Sequence, residues 1–398
     1  MSKAPKLRFK KFSGDWEEKK LQNVSDVRDG THDSPKYVTE GYPFVTSKNL
    51  MKNGKIDFSD ISYITEEDYI NINKRSKVDV GDILFGMIGT IGNPVIVEQD
   101  GFAIKNVALI KEKDKLLNRY LIQVLKSSVI DRQFYKLNTG GTQKFIGLGM
   151  IRDLSILIPS IEEQEKIAFF FSLIDDKISL QGEKVEALKD YKKGMMQKIF
   201  SRELRFKDDE GRDYPEWEEK KLGDYIVEYK EKTTENNQYP VLTSAREGII
   251  LQKDYFKDRQ VTTDDNIGYH IIPRGYITYR SRSDDTTFKF NQNNLIDMGI
   301  VSYFYPVFKF NEELNSTYAL TYMNNYLGCQ IRKEIVGTSQ LVLSLNKLKE
   351  LKIQVPSIEE QNKIGNVLNS INKKIEKEQE KLDSLNQYKK GLLQQMFV

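Results

Sequence analysis

The chain has 398 residues, an apolar fraction of 39% and a net charge of +3, which describe a globular protein with two or more domains. So small a charge does not by itself indicate a nucleic-acid partner. No apolar run approaches the roughly 18–20 residues that span a bilayer, and the lysine-rich N-terminus is unlike a signal peptide, so we expect no membrane association and a cytoplasmic location. The single cysteine, Cys329, excludes an internal disulfide, and with only His32 and His270 besides it we expect no metal site.

Two near-copies of one segment lie 197 residues apart, at 159–200 and 356–397. Aligned without a gap, 20 of their 42 positions are identical, which indicates a duplication. The domain openings match as well, because Trp-Glu-Glu-Lys-Lys-Leu stands at 16–21 and again at 217–222. Solenoid repeats are roughly 20–50 residues long, so this period indicates a tandem copy of a whole domain plus a helix.

Each copy is predicted to form one long helix that begins at a serine. Ser160 with Glu163, and Ser357 with Glu360, fit capping boxes, in which the serine oxygen accepts an early backbone N–H and the glutamate reaches back. The apolar residues then follow a 4-3-4-3 spacing, which is typical of a coiled-coil seam. The seam residues are Ile167, Phe171, Ile174, Ile178, Val185, Leu188, Met195 and Ile199 in the first copy, and Ile364, Leu368, Ile371, Ile375, Leu382, Leu385, Leu392 and Met396 in the second.

Two matching seams in one chain most simply bury each other, and the connectivity favours an antiparallel pair. The alternative is that each helix packs on its own globular domain. Polar residues interrupt both seams at equivalent positions, Gln181 and Lys192 in the first and Glu378 and Lys389 in the second. In the paired arrangement these residues restrict the register of the helices.

The regions between the helices mix short apolar runs with helical spacing, so each is predicted to be α+β. Strands are expected at 83–87, 94–97 and 107–110 and at 276–279 and 300–304, with one helix at 116–134 and one at 318–335. The predicted segments are a first domain at 1–158, a helix at 159–200, a linker at 201–221, a second domain at 222–355 and a helix at 356–398.

The duplication continues only faintly into these domains. Residues 42–47 resemble 239–244, residues 81–85 resemble 275–279, and a glycine–threonine pair at 141–142 returns at 337–338. Elsewhere the two domains differ almost completely. The pattern indicates a fixed frame that carries two recognition units of different specificity.

The duplicated helix starts, the Tyr-Lys-Lys-Gly helix ends and the paired domain openings resemble the specificity subunit of a type I restriction–modification system over essentially the full length. In that family two target-recognition domains, separated by a pair of antiparallel coiled-coil helices, each read one half of a split, asymmetric DNA sequence. The helix pair fixes the unspecified gap and docks two methyltransferase subunits, which methylate adenine at N6, and motor–nuclease subunits join to cut unmodified DNA. The resemblance implies that the partners are double-stranded DNA and these subunits, and that S-adenosylmethionine, ATP and magnesium belong to the subunits alone.

Catalytic motifs are not found in the chain itself. No phosphate-binding loop and no Asn/Asp-Pro-Pro-aromatic tetrapeptide occurs, so we expect no enzyme activity and no cofactor. The pairs Glu17 with Lys19 and Glu218 with Lys220 superficially resemble a nuclease site but lie in what reads as a charged segment without strand context. Two other hypotheses therefore stay open, a protein-interaction adaptor without a DNA role and, more weakly, a fused nuclease.

Base edges and phosphates are contacted by polar side chains on loops. The candidates in the first domain are Arg28, Thr31, His32, Ser47, Lys48, Asn49, Gln143 and Lys144. The candidates in the second domain are Thr243, Ser244, Arg246, Arg280, Ser281, Arg282, Ser339 and Gln340. Arg280 and Arg282 are favoured because a guanidinium can pair bidentately with guanine or clamp a phosphate.

Overall fold

The computed structural model describes residues 4–137, 145–256, 265–335 and 341–397. The chain divides into two compact units, one formed by Met1–Lys184 together with Glu378–Val398 and the other by Val185–Lys377. Each long helix therefore contributes one part to each unit. The five segments predicted above divide the chain by element rather than by packing, and their boundaries stay a prediction.

The two long helices run from Ile161 to Phe200 and from Ile358 to Met396. Their serine caps are as predicted, since the backbone N–H of Glu163 donates to Ser160 Oγ at 3.3 Å and that of Glu360 to Ser357 Oγ at 3.4 Å. The other half of the predicted capping box is wrong. Neither glutamate side chain reaches back to its cap, because each carboxylate is bound by an arginine, Arg8 or Arg205, from the segment that leads into its domain.

These arginine–glutamate pairs attach each helix start to the chain that leads into its domain. Arg8 forms a two-pronged pair with Glu163, with Nε–Oε1 and Nη2–Oε2 distances of 2.8 Å. Arg205 repeats it with Glu360, at 3.3 and 2.9 Å. In the second unit Glu360 Oε2 also accepts a hydrogen bond from Trp217 Nε1 at 3.0 Å. Because both glutamates are buried, the paired arginines offset the cost of removing the carboxylates from water.

The glutamine after each glutamate bonds to the globular domain. Gln164 Oε1 accepts the backbone N–H of Leu117 at 2.9 Å, and Gln361 Oε1 accepts that of Asn315 at 2.8 Å. Each contacted residue is the N-cap of a helix in its domain. The duplicated Glu-Glu-Gln sequence is therefore a joint between helix and domain, built twice with the same bonds.

The antiparallel pairing of the helices is confirmed. In the first unit Ile167 and Phe171 from the start of the first helix share a core with Leu392 and Met396 from the end of the second. In the second unit Ile199 shares a core with residues 364 and 368. None of the sixteen seam residues is exposed. Both cores also include residues of the globular domains. The alternative, in which each helix packs on a domain, is therefore correct as well, because the helices pack on each other and on the domains.

Each unit contains a four-stranded antiparallel sheet of the same topology. In hydrogen-bonding order the strands are Asp26–Asp29, Val107–Lys111, Ile83–Gly86 and Gly92–Ile96 in the first unit, and Ile226–Tyr229, Val307–Phe310, Ile277–Thr278 and Asn291–Gln292 in the second. The α+β class and the common skeleton behind the faint repeat are thereby confirmed. The differences between the units lie in what surrounds these sheets.

Smaller sheets and short helices complete the two units. The first unit adds a sheet of Tyr37–Val38, Ser62–Ile64, Tyr42–Thr46 and Ala103–Lys105, and the pair Glu17–Lys20 with Ser155–Ile158. The second adds the pairs Leu242–Ser244 with Ile249–Leu251, His270–Pro273 with Met298–Val301, Arg282–Ser283 with Leu341–Val342, and Glu218–Lys221 with Lys352–Val355. The short helices are Leu21–Val24, Ser47–Asn49 (3₁₀), Glu66–Ser76, Leu148–Arg152, Leu222–Asp224 (3₁₀), Gln252–Tyr255 and Leu345–Glu350.

Three predictions about these elements are corrected. The predicted helix at 116–134 is two helices, Asn118–Leu125 and Ser128–Leu137, because the Ser127 hydroxyl binds the Val124 carbonyl oxygen and ends the first. The predicted helix at 318–335 is also two, Ser316–Tyr326 and Gly328–Glu334, with the weak helix former Gly328 at the break.

The third correction concerns the charged segments at the domain openings. Glu17 and Lys19 lie on one of the paired strands, as do Glu218 and Lys220, so the expectation that they lack strand context is wrong. Within each pair the two side chains bind each other. No helix in the described part of the chain is both long and apolar enough to cross a membrane.

Candidate nucleic-acid interface

In the first unit several predicted residues converge on Asn106, a turn residue that the sequence analysis missed. Asn106 joins two strands with a left-handed backbone, φ 55°, which asparagine tolerates better than most residues. Its backbone oxygen accepts the Ser47 hydroxyl at 2.9 Å, and its side-chain oxygen lies 2.9 Å from His32 Nδ1. Thr31 forms a β-bridge with Lys105, the residue before Asn106.

Gly30 allows the loop that carries Thr31 and His32 to approach this turn. A Cβ at position 30 would lie 2.4 Å from the carbonyl oxygen of Ile104, a distance that no side chain could occupy. The loop can therefore lie directly against the neighbouring strand only because residue 30 is glycine. This close approach places His32 beside Asn106.

The electrostatics at His32 favour its charged form. Nε2 lies 3.0 Å from Oδ2 of Asp29, a carboxylate that is almost buried, while the imidazole is 57% exposed. The hydrogen bond to Asn106, followed by that to Asp29, raises the pKa of His32 above its usual value. Arg75, which no sequence signal marked, also binds Asp29. The result is a surface with two cationic side chains held by one carboxylate.

The structure separates the other first-domain candidates by exposure. Ser47 and Asn49 are 3% and 2% exposed, and the Asn49 amide donates to the Asp57 and Asp60 carbonyl oxygens, so both support the loop from inside. Lys48 between them is exposed and lies 3.3 Å from Asp60 Oδ2. Only Lys48 of these three presents a polar group to a ligand.

Arg28 is held on its own sheet. Its Nη2 lies 2.6 Å from Asp26 Oδ2, two residues earlier, and its Nη1 donates to the backbone oxygen of Arg75 at 3.2 Å. The guanidinium beside it lowers the pKa of the Asp26 carboxyl. Arg28 thus helps to position Arg75. Arg75 and His32 in turn share Asp29 as a partner.

In the second unit an aromatic turn, Ser302–Pro306, takes the place that Asn106 has in the first. The predicted strand at 300–304 ends at Val301, so Tyr303, Phe304 and Tyr305 belong to this turn. The backbone N–H and hydroxyl of Ser281 both donate to the Phe304 carbonyl oxygen, at 2.9 and 2.7 Å. The run Tyr-Phe-Tyr-Pro was the sequence signal that could have identified the turn, because proline after clustered aromatics favours a turn over a strand.

Arg282 and Tyr303 both contact the ring of Phe304. The Arg282 guanidinium carbon lies 3.9 Å from the centroid of the Phe304 ring, which is a cation–π contact. The Tyr303 ring centroid lies 4.1 Å from that of Phe304, and Tyr303 is 63% exposed. An exposed aromatic ring supported in this way offers a flat surface on which a base can stack.

Of the remaining second-domain candidates, Thr243 contacts the same turn. Thr243 Oγ1 is 3.5 Å from the Tyr305 hydroxyl, and Ser244 Oγ accepts the Asn291 amide at 2.8 Å. Arg246 binds Asp285 across two loops. Arg280, which precedes Ser281, is exposed. Four further candidates, Gln143, Lys144, Ser339 and Gln340, lie outside the described residues, so their role stays a prediction.

The chemistry of both clusters suits recognition. Guanidinium and ammonium groups donate hydrogen bonds to phosphates and base edges, a protonated imidazole adds positive charge, and aromatic rings stack on bases. Among the residues described, no group of three or more histidine, cysteine, aspartate or glutamate side chains is arranged to hold a metal ion. The two clusters share a place on a common skeleton but have different side chains.

A family model of the type I restriction modification DNA specificity domain matches the chain twice, over residues 13–190 and 214–387. Among curated relatives, the Methanocaldococcus jannaschii protein assigned as the type I restriction enzyme MjaX specificity subunit is 26% identical over 95% of this chain and 92% of its own. The MjaVIII specificity subunit of the same organism is 24% identical over 81% of this chain and 79% of its own.

Solved structures of similar fold come from type I restriction–modification systems. The crystal structure of the type I restriction–modification S subunit from M. genitalium gives a TM-score of 0.59 at 16% identity and covers 99% of both chains. A second solved chain comes from work on the structural basis of complex assembly and conformational transition of the type I R–M system. It gives a TM-score of 0.54 at 16% identity, and the match covers 95% of this chain and 96% of that chain. These likenesses concern the fold, and the twofold match of the family model spans most of the sequence. The chain therefore belongs to the family of type I restriction–modification DNA specificity subunits.

Proposed function

We propose that the chain reads a bipartite, asymmetric DNA site, with each unit contacting one half-site. The observation that carries this proposal is the contrast between frame and surface. The joint of Arg8 with Glu163 is repeated by Arg205 with Glu360, whereas a polar cluster around Asn106 in one unit corresponds to an aromatic turn in the other. Equal frames with unequal surfaces suit a site whose halves differ in sequence.

In the first unit, Arg75 and Lys48 contact the DNA, while His32, whose two ring nitrogens are bonded to Asn106 and Asp29, adds its positive charge beside them. The carboxylate of Asp29 fixes both Arg75 and His32, and a fixed donor such as Arg75 loses less freedom when it binds a base edge or phosphate. Lys48 contributes a further exposed positive charge, paired with Asp60. Ser47 and Asn49 act indirectly by holding the loop.

In the second unit, Arg282 and Arg280 provide the cationic contacts and Tyr303 provides a stacking surface. Ser281 anchors the turn through its two bonds to the Phe304 carbonyl oxygen. The contact of Arg282 with the ring of Phe304 restricts the guanidinium to one region of the surface. This half-site is therefore read with stacking as well as hydrogen bonding.

The chain acts as a scaffold and does not catalyse the reaction. Two methyltransferase subunits dock on the helix pair and methylate adenine at N6, and motor–nuclease subunits join them for restriction. S-adenosylmethionine, ATP and magnesium are bound by those subunits. The duplicated helix starts and ends support this proposal, since two identical partners require two similar docking faces.

The helix pair sets the length of the unspecified gap between the half-sites. Helices of 40 and 39 residues are each about 60 Å long at a rise of 1.5 Å per residue. Deletion of two heptads from both helices, about 21 Å, is expected to shorten the gap and leave both half-sites unchanged. An altered half-site with the original gap would show that the helices do not set the spacing.

Binding of labelled duplexes by the chain assembled with its cognate methyltransferase tests the proposal. We expect tight binding to a duplex with both half-sites, much weaker binding when either half is scrambled, and an affinity that falls as salt rises, because bound counterions are released. A matched control duplex keeps both half-sites and changes only the gap sequence, which should leave the affinity unchanged. An affinity indifferent to sequence and salt would contradict the proposal and favour a protein-interaction adaptor.

A further inference from the structure

The first long helix carries an exposed apolar stripe on the face opposite its buried seam. The stripe consists of Phe169, Leu173 and Leu180, which are 58%, 52% and 67% exposed. At 3.6 residues per turn these three side chains point within about 40° of one another, whereas the seam residues Ile167 and Phe171 point the other way. All five residues lie in the first unit.

The second helix has no such stripe. The positions 197 residues later are Asn366, Ser370 and Lys377, all exposed. The charge beside the stripe changes as well, since Asp176 in the first helix corresponds to Lys373 in the second. The duplicated helices are therefore alike at their buried seams and joints, but their outer faces differ, one being apolar with an acidic neighbour and the other polar and basic.

The stripe is not needed to build the helix pair. The second helix forms the same buried seam and the same joint with polar residues at the three equivalent positions, so these positions do not contribute to the core. An apolar side chain that stays exposed to water adds no hydrophobic stabilisation to the fold, so a polar side chain at the same position would serve the fold equally well. A contact outside the chain is the remaining reason for an apolar stripe.

The size of the stripe favours a partner larger than the stripe itself. A large buried aromatic side chain covers 150–250 Å², so the exposed parts of these three side chains come to roughly 300 Å². A stable self-association needs about 800 Å² from each partner. Any other stable interface needs a similar area, so the stripe alone is too small to hold a partner and suits the apolar centre of a larger interface with a polar rim.

We propose that the stripe makes the docking of the two methyltransferase subunits unequal, so that the subunit on the first unit binds more tightly than the subunit on the second. This inference rests on the proposed function, in which identical subunits occupy two faces equivalent by duplication. One protein surface cannot complement an apolar face with Asp176 and a polar face with Lys373 equally well. The apolar face excludes water on binding and supplies the stronger contact.

Titration of the chain with its cognate methyltransferase subunit, followed by native mass spectrometry and calorimetry, tests this inference. The wild-type chain should bind the first subunit at least about tenfold more tightly than the second, as expected when a few central apolar side chains dominate an interface. A one-to-one complex should therefore accumulate before the two-to-one complex. The duplication supplies the variants, because each residue can be replaced by its own counterpart.

In the first variant, Phe169→Asn, Leu173→Ser and Leu180→Lys give the first helix the outer face of the second. Both subunits should then bind with the weaker affinity. In the reciprocal variant, Asn366→Phe, Ser370→Leu and Lys377→Leu should make both bind tightly. Since all six residues are exposed, unchanged thermal unfolding of both variants is the control for folding.

Each outcome distinguishes this inference from the proposed function. Equal affinities in the wild-type chain, or two affinities that neither variant alters, would refute unequal docking while the proposed function stands. Failure of the methyltransferase to bind either unit would overturn the proposed function itself. If the chain alone formed dimers that the first variant abolished, the stripe would be a self-association surface and the inference would be wrong.

Discussion

The side-chain N–H groups of Gln181 donate to the backbone oxygen and to Oε2 of Glu378, each at 2.8 Å. Glu378 occupies the position in the second helix copy that is equivalent to Gln181 in the first. In an antiparallel pair of duplicated helices, only one level brings a position against its duplicate. A polar pair at that level disfavours shifted registers, in which the amide or the carboxylate would face apolar seam residues. The interruption of the seam is therefore a specific contact.

The carboxylate of Glu378 makes this contact sensitive to acid. Hydrogen bonds from Gln181, and then from Lys381 and Lys184, hold its pKa at about 2. A carboxylate whose pKa is lowered by folding stabilises the folded state above its unfolded pKa, about 4.3, and loses this contribution as the pH falls towards 2. We expect wild type to unfold at higher denaturant concentration than Glu378→Gln at pH 6, with the difference shrinking between pH 4.5 and pH 2.

Denaturant unfolding of both proteins at four or five pH values measures this effect. The glutamine variant keeps the shape of the side chain and cannot ionise, so it controls for every other carboxylate in the chain. A difference between the two proteins that stays constant down to pH 2 would show that the Glu378 carboxylate does not contribute through its charge.

The two helix joints should differ in strength, although their sequences match. Removal of Arg8 leaves Glu163 as a buried charge without its arginine, and breaking such a pair costs about 3–5 kcal/mol. Glu360 keeps the hydrogen bond from Trp217 when Arg205 is removed. We therefore expect Arg8→Ala to lower the free energy of unfolding more than Arg205→Ala does.

Tryptophan fluorescence can follow each joint separately, because the chain has two tryptophans, one in each unit. Unfolding of Arg8→Ala is measured with Trp217 replaced by phenylalanine, and unfolding of Arg205→Ala with Trp16 replaced. Each is compared with its own single-tryptophan parent. Equal losses in the two units would show that the bond from Trp217 adds nothing to the second joint.

The joints also mark how far the sequence predicted the structure. The caps at Ser160 and Ser357, the seams and the antiparallel pairing follow from periodicity, because one helical repeat determines which residues are buried. The bond from Arg8 to Glu163 joins residues 155 positions apart, and no local pattern in the sequence encodes such a pairing. The capping-box prediction was therefore right about the serine and wrong about the glutamate.

The candidate site was predictable only in part, for a similar reason. Polar residues in loops indicated Arg282 and His32, but not Asn106 or the turn that holds Tyr303, since their importance comes from contacts between distant strands. The burial of Asn49 was equally hidden, because a polar residue in a loop normally faces water. Composition identifies the kind of residue that reads DNA, and tertiary packing decides which of those residues reach it.

DNA affinity at the first half-site should depend on the charge of His32. Folding raises its pKa above 6.5, so its contribution as a cation is complete below that pH and is lost as the pH rises through the folded value. We expect affinity for the bipartite duplex to weaken by roughly two- to tenfold between pH 6 and pH 8.5, because the attraction of one positive charge to a nearby phosphate is worth about 1 kcal/mol in water.

Fluorescence anisotropy of His32→Gln over the same range is the control, since glutamine keeps hydrogen-bonding capacity without titrating. Its affinity should vary little with pH. The charged groups that face His32 are Asp29 and Arg75. An equal pH dependence in the variant would assign the effect to groups elsewhere in the complex.

Substitution of Tyr303 or Arg282 should damage only the second half-site. Stacking of one base on an aromatic ring is worth about 1–3 kcal/mol, so Tyr303→Ala should weaken binding by roughly 5- to 150-fold. Tyr303→Phe keeps the ring and should bind nearly as wild type. Arg282→Ala should likewise reduce discrimination in that half, because a bidentate contact to a base contributes about 1–3 kcal/mol.

Competition with duplexes scrambled in one half-site at a time locates the damage. Tyr303→Ala and wild type should bind a duplex whose second half-site is scrambled with equal affinity. Scrambling the first half-site should weaken the binding of both proteins by the same factor. Equal loss at both halves would make these residues general phosphate contacts or contributors to folding.

The sites methylated by the assembled complex test the central claim most directly. Long-read sequencing of genomic DNA, treated with the chain, its cognate methyltransferase subunit and S-adenosylmethionine, reports every N6-methylated adenine. We predict one motif of two different specified blocks separated by an unspecified gap of constant length, with Arg282→Ala relaxing one block alone. A single contiguous motif, two identical blocks, or relaxation of both blocks by that variant would contradict the assignment of one unit to each half-site.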